Sequence, residues 1–362
     1  MIPTHFTFRS ESAEPAPAVL VEVDDRLTAD RALRRVRGGE ALLYRGDFHN
    51  AKQLLQAMGR RLSTRPSRAS TPLEAFRSER RARADEHATL ARLLVALDPS
   101  YCLELARAPD VAKACREVWG AATGTTVVPL RTLLGMLGAA EWRRKGLSVP
   151  GLEGLLTPHY GVYLPTRTDY VELFASVKDV RGKRVLDVGT GTGVLSFLLL
   201  QRGAASVVAT DCDARALECA RDNATTLGLS ARFTAVEADV YPTDGALFDL
   251  IVSNPPWIPE APKNRVDRAV FDEGGRFLSR LFGGSGSSLA PSGELWLVMS
   301  DLAVLLGLRE PGWLVVELER AGLTLKWRRD RAAKHGKAKD ASDPLHAARS
   351  RETTTLYCLA RR

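Results

Sequence analysis

Val185-Leu186-Asp187-Val188-Gly189-Thr190-Gly191-Thr192-Gly193 is the stretch on which the fold of this 362-residue chain turns. An apolar strand runs into a turn with glycine at every second position, and a helix follows. Glycines at 189, 191 and 193 let the backbone turn tightly and approach a ligand that any Cβ would push away. Gly189, Thr190, Gly191, Thr192 and Gly193 are therefore candidate cofactor-binding residues. Asp187, at the strand's carboxyl end, is placed to meet a cationic amino group. The spacing is GxGxG with an acid two residues before the first glycine, unlike the GxGxxG of dinucleotide enzymes.

Downstream of this turn, strand and helix patterns alternate. Strands are predicted over 183–188, 206–210, 232–237, 248–253, 293–299, 323–327 and 353–359, with helices over 193–202, 214–227, 275–289 and 313–321. Such alternation predicts an α/β fold with a parallel sheet and crossover helices. The second strand ends in Asp211, with Cys212 next. An acid there can accept both hydroxyls of a ribose; alternatively it caps the following helix. The third strand runs out in Asp239-Val240. Asp239 is placed to accept an adenine amino group with Val240 on the base, or else it simply forms a turn.

The fourth strand leads into Ser253-Asn254-Pro255-Pro256-Trp257, the candidate catalytic turn. Consecutive prolines remove two N–H donors and stiffen the chain, leaving carbonyls as acceptors. The Asn254 side-chain oxygen and the Pro255 carbonyl suit two hydrogen bonds from one planar –NH2 group. Trp257 is positioned to stack on the attached π system. An amide or aniline-like nitrogen is a poor nucleophile because its lone pair is delocalised. Two acceptors that hold it pyramidal localise that pair, and in-line positioning does the rest.

These residues resemble the amino-methylating branch of class I S-adenosylmethionine-dependent methyltransferases, and within it the HemK/PrmC-type glutamine methyltransferases. The resemblance covers roughly residues 158–359. It rests on the glycine turn, on the Asn-Pro-Pro-aromatic turn, and on Gly161-Val162-Tyr163-Leu164-Pro165-Thr166-Arg167 before the first strand. It implies a Rossmann-like seven-stranded sheet closing in an antiparallel hairpin, S-adenosylmethionine as cofactor, and Tyr163, Pro165 and Arg167 bordering cofactor and substrate. The family has Tyr where this chain has Trp257, orders its Pro-containing lead-in differently, and carries a much smaller N-terminal domain. Asp343-Pro344-Leu345-His346-Ala347-Ala348-Arg349 is foreign to it; with His346 as a substrate candidate, it is either a lid or a structured loop. The acceptor stays open among a protein glutamine amide, an adenine amino group in RNA or DNA, and a small-molecule amine. A catalytically dead cofactor-binding module is the fourth reading, disfavoured by the intact Asn254 and Trp257.

Residues 1–158 read as a mainly helical accessory or substrate-recognition domain, with 1–17 as a disordered lead-in, and 159–362 as the catalytic domain. Helices are predicted over 28–37, 51–62, 72–97, 109–119 and 128–142, and short strands over 18–23 and 41–44. The chain carries a net charge of +8, unevenly spread. Arg60, Arg61, Arg65, Arg68, Arg77, Arg80, Arg81 and Arg83 face only Glu74 and Glu79. Lys326, Arg328, Arg329, Arg331, Lys334 and Lys337 face only Asp330. Such stretches attract nucleic acid or simply keep a surface solvated. Five cysteines without CxxC spacing, and no export signal, point to reduced thiols in the cytoplasm and to no structural metal. No apolar run is long enough to cross a bilayer, so no membrane association is expected.

Overall fold

The C-terminal half builds one sheet from seven strands. They are β6 (Arg184–Val188), β7 (Ser206–Asp211), β8 (Phe233–Glu237), β9 (Phe248–Ser253), β10 (Leu289–Ser300), β11 (Leu323–Ala332) and β12 (Thr353–Arg361). Their order across the sheet is β8-β7-β6-β9-β10-β12-β11. The first five are parallel; β12 slots between β10 and β11 and runs antiparallel to both. The computed structural model describes residues 6–11, 15–62, 69–177 and 180–362 of the chain.

The central strands read as apolar runs because helices cover both faces of a parallel sheet. Val185, Leu186, Leu250, Ile251 and Val252 are all buried, on the two sides of the sheet in separate core clusters. Helix Val194–Gln201 is apolar almost all round and almost wholly buried, as expected of a helix packed deep against the sheet. From β6 the chain winds outward through β7 to β8, then returns to the other side of β6 with β9. Strand order therefore reverses between β6 and β9, where open α/β sheets form their ligand crevice. Both motifs leave the sheet at this point. Register pairs Val188 with Ser253, the residues just before Gly189 and Asn254. The buried Ser253 hydroxyl donates to the Val188 carbonyl at 2.9 Å and ties the two turns together.

The two compact units divide differently from the expected boundary. One comprises residues 1–69 and 77–141, the other 70–76 and 142–362. Residues 142–158 join the catalytic unit because Val149, Leu152 and Leu156 lie in its core, clasped by a Leu147–Leu156 bridge.

Among the described residues, the N-terminal unit adds a sheet to its five helices. It holds a five-stranded sheet of β1 (Thr7–Phe8), β2 (Leu20–Val23), β3 (Ala41–Tyr44), β4 (Leu93–Leu97) and β5 (Thr126–Pro129), in the order β1-β5-β4-β3-β2. β4 and β5 overlap the helices expected over 72–97 and 128–142. Both are buried at every position, so their sequences show no alternation, and a continuous apolar run adjoining a helix does not reveal its own period. The expected lead-in over 1–17 falls partly outside the described residues; within them, Thr7 and Phe8 pair with Thr126 and Val127.

The second basic stretch is less bare than its sequence suggests, because folding brings carboxylates to it. Lys326 meets Glu294 at 2.6 Å and Arg331 pairs with Glu172, while Arg329 donates to the Ser176 carbonyl at 2.7 Å. Of the first stretch, Arg65 and Arg68 lie outside the described residues; Arg83 pairs with Glu79 and Arg61 with Asp30.

Candidate active site

A cavity of about 170 Å³ opens at the β6/β9 crevice. Its floor is the glycine turn. Gly189, Gly191 and Gly193 have φ of 73°, 55° and 84°, a region closed to most side chains. A Cβ on Gly191 would stand in open space, so the turn presents bare backbone there. Gly193 does not line the cavity: it caps helix Val194–Gln201, and a Cβ there would come within 2.4 Å of the Phe197 ring.

Two carboxylates stand at this turn. Asp187 is buried and accepts from the Ser196 and Thr190 hydroxyls at 2.6 and 2.8 Å. Burial raises its pKa to about 6, since those two hydrogen bonds do not make up for lost water. Asp211 accepts from the Gly191 and Asp213 backbone N–H groups at 3.1 and 2.9 Å, and burial pushes it up as well. It does not cap the following helix; Asp213 does, accepting from the Arg215 N–H at 3.0 Å.

On the β9 side, Asn254, Pro255 and Pro256 line the same cavity. The Asn254 side-chain oxygen is buried and has no hydrogen-bond partner. An unpaired buried carbonyl oxygen is costly, and the residue that carries it lines the cavity. Tyr163, Pro165, Thr190, Thr192 and Cys212 also line it.

Residues 155–304 match the family model described as the methyltransferase small domain. A protein of Methanocaldococcus jannaschii, provisionally named a protein N5-glutamine methyltransferase, is 30% identical over 158 residues, covering 42% of this chain and 79% of that one. The chain belongs to the HemK/PrmC-like methyltransferases. It is also 38% identical over 144 residues to the release factor glutamine methyltransferase of Chlorobaculum tepidum, covering 38% and 46% of the two chains. Against the tRNA1(Val) (adenine(37)-N6)-methyltransferase of Aeromonas hydrophila it is 34% identical over 143 residues, covering 36% and 58%. It thus spans only about half the length of these last two relatives.

As a class I methyltransferase the enzyme uses S-adenosylmethionine, and the cavity suits that molecule. It offers bare backbone at Gly191, carboxylates at the buried Asp187 and the half-buried Asp211, and Asn254 in its wall.

Besides Gly193, five expected site residues of this methyltransferase lie outside the cavity lining. Asp239 is exposed and paired with Arg280 at 2.5 Å. Val240 takes φ of 80°, a strained value for a β-branched residue, which turns its side chain into the core; the Thr210 hydroxyl holds its carbonyl at 2.7 Å. Trp257 does not line the cavity: its indole N–H donates to the Val298 carbonyl at 3.1 Å and its ring packs against both core clusters. Arg167 lies over that ring rather than in the cavity. His346 sits on the short helix His346–Arg349, away from the cavity lining, with Nδ1 buried and unpaired.

The cavity also recruits residues with no local motif. Phe277 covers Gly189, and Arg265, Val266, Arg268 and Ala269 come from the loop after the Asn-Pro-Pro-Trp turn. Arg265 reaches back to the helix cap Asp213 at 2.8 Å. Nothing in their sequence marks them, since a loop's destination depends on the packing beneath it. The adjacent Gly274-Gly275 pair was the available hint for Phe277. No cluster of potential metal ligands occurs among the described residues.

Asp187 makes a pH prediction. Its folded pKa lies above the ordinary 3.8, so between 3.8 and about 6 the free enzyme holds a proton that the unfolded chain releases. That contribution to stability is full below 3.8 and is lost as pH rises through about 6. A cation bound beside the carboxyl favours the opposite, ionised form. Cofactor affinity should therefore improve as pH rises through about 6 and level off beyond it. Calorimetric titration across that window checks this, and Asp187→Asn should flatten the profile. A wild-type profile already flat would detach Asp187 from the cofactor's charged end.

Proposed function

We propose that this methyltransferase methylates a planar amide nitrogen, that of a protein glutamine side chain. The reading is carried by Asn254, which lines the cavity and whose side-chain oxygen is buried and unpaired. S-adenosylmethionine supplies the electrophilic methyl group. The protein's part is to bind, orient and hold. Asp187 takes the cofactor's amino group, Asp211 its ribose hydroxyls, and the glycine turn lies against it. Asn254 and the Pro255 carbonyl accept the two N–H bonds of the acceptor. That holds its nitrogen in line with the methyl group and its lone pair out of conjugation. No strong base is needed before attack, because the methylated nitrogen is acidic and sheds its proton afterwards. Relatives named for glutamine methylation, one of them matched over 79% of its length, support the amide acceptor.

A second reading, an adenine amino group in RNA, draws on the relative named for tRNA adenine methylation and on the arginine-rich stretch. The N-terminal unit is, on either reading, the acceptor-recognition domain, and the five free thiols fit work in the cytoplasm. Tritium transfer from labelled cofactor into fractionated cell extract separates the two. Label released as methylamine by acid hydrolysis of the protein fraction is expected. Label recovered as a methylated adenine after nuclease digestion would establish the second reading instead; label on carbon or oxygen would remove both.

The arginine stretch has its own test. If it binds phosphates, RNA affinity should fall steeply with salt. Replacing Arg77, Arg80, Arg81 and Arg83 with Gln should then flatten the log–log slope by about 0.7 for each single-strand phosphate no longer neutralised. Salt-insensitive binding leaves these side chains as solvated surface.

A further inference from the structure

Arg167 sits in a buried polar node on which three parts of the catalytic unit converge. Its guanidinium donates to both oxygens of Asp169, at 3.2 and 2.5 Å, to Glu352 at 2.9 Å and to the Thr354 hydroxyl at 3.2 Å. Glu352 is fully buried and also accepts from Ser300 at 2.6 Å, with the His335 Nε2 at 2.9 Å. The guanidinium carbon lies 4.8 Å from the centroid of the Trp257 ring. Trp257 is fixed from another side by the Val298 carbonyl. The indole therefore has one face taken by a cation and its N–H taken by a strand.

The connectivity gives this arrangement its consequence. Arg167 ends the lead-in segment that carries Tyr163 and Pro165 into the cavity wall, and Trp257 ends the turn that begins with Asn254. Glu352 and Thr354 anchor both to the last strand of the sheet. Burial alone would raise the Asp169 carboxyl; the Arg167 guanidinium outweighs it and keeps that carboxyl ionised. The node is thus a charged, hydrogen-bonded pin rather than a loose stack.

We propose that Arg167 is a positioning residue for methyl transfer: by stacking on Trp257 while pinned to Asp169 and Glu352, it holds the acceptor turn and the cofactor-wall segment in one fixed register. It does not line the cavity; it acts through Trp257 and through the segment it terminates. The proposal rests on the acceptor turn being the reacting site. It assigns a physical reason for an indole here, since Trp offers a cation the strongest of the aromatic faces.

The test uses the full chain. Arg167→Met would leave two buried carboxylates without their cation and risks not folding. Arg167→Lys keeps the charge but lacks the planar fork and cannot lie flat on the ring. In Arg167→Lys, amide hydrogen exchange should quicken by about ten-fold in peptides covering residues 161–168 and 254–258 together, with β6 and β7 unchanged. Trp257→Leu should quicken the same peptides, and the double variant should be no faster than the worse single one, as coupled residues require. Turnover on the labelled extract fraction should fall more than cofactor affinity does. Unchanged exchange in residues 254–258, or quickening spread through β6 and β7, overturns the proposal. So does simple additivity of the two substitutions. The exchange arm needs no acceptor, so a failure to find one leaves it able to decide.

Discussion

Asn254→Ala is expected to lower turnover by about 10²–10³, the scale of deleting one preorganised polar contact at a reacting centre, while cofactor affinity changes little. The asymmetry follows from where the side chain stands. Its oxygen is buried without a partner at the end of β9, whereas the glycine turn, Asp187 and Asp211 belong to β6 and β7. Removing the amide therefore leaves the cofactor's contacts in place. It also relieves an unpaired buried acceptor, so the variant should be no less stable than the parent. That combination separates a catalytic role from a structural one: a residue kept for folding would lower the thermal midpoint when removed. Asn254→Asp retains an acceptor but adds a buried charge, and should keep more activity than Ala if acceptance is what matters. Binding by calorimetry and single-turnover rates, measured side by side, make the comparison. Full turnover by Asn254→Ala, with the methyl still on nitrogen, would falsify the amide-holding role.

What sequence reveals of this molecule depends on whether a feature is local. The glycine turn, the acid ending β7 and the Asn-Pro-Pro turn are each set by a strand end and the residues that follow, so their positions and their meeting at the crevice are readable. The bounds 248–253 for the fourth catalytic strand coincide with those observed. The same logic misplaces Asp239, because a left-handed backbone at Val240 and the pull of Arg280 redirect the chain after β8. Trp257 is legible as an aromatic at the site's edge, but its neighbour is not. Only folding brings Arg167, nearly a hundred residues earlier, onto its ring. In the N-terminal sheet β2 and β3 match the strands expected over 18–23 and 41–44, whereas β4 is hidden for another reason. Leu93-Leu94-Val95-Ala96-Leu97 is buried on every side, and burial on every side erases the periodicity by which a strand is told from a helix.

Asp211→Ala is expected to weaken S-adenosylmethionine binding by about 10² or more, since each hydrogen bond to a charged acceptor contributes roughly 1.5–3 kcal/mol. Both of its oxygens already serve the protein, holding the Gly191 and Asp213 N–H groups. A carboxylate oxygen has a second lone pair, however, so it can brace the glycine turn and still accept a ribose hydroxyl. The substitution removes both functions, and a loosened turn alone would also weaken binding. Asp211→Asn distinguishes them. It keeps the side chain's size and one accepting oxygen, enough for one of the two backbone contacts, but puts a donor where the second hydroxyl must donate. If ribose recognition dominates, Asn should lose much of the affinity while Tm stays close to that of the parent. If bracing dominates, affinity and stability should fall together, in part in Asn, which keeps one backbone contact, and further in Ala. Calorimetry with the cofactor and thermal unfolding without it, on both variants, read the two effects separately. Unchanged affinity in Asp211→Ala would place the ribose elsewhere in the cavity and overturn the assignment of β7.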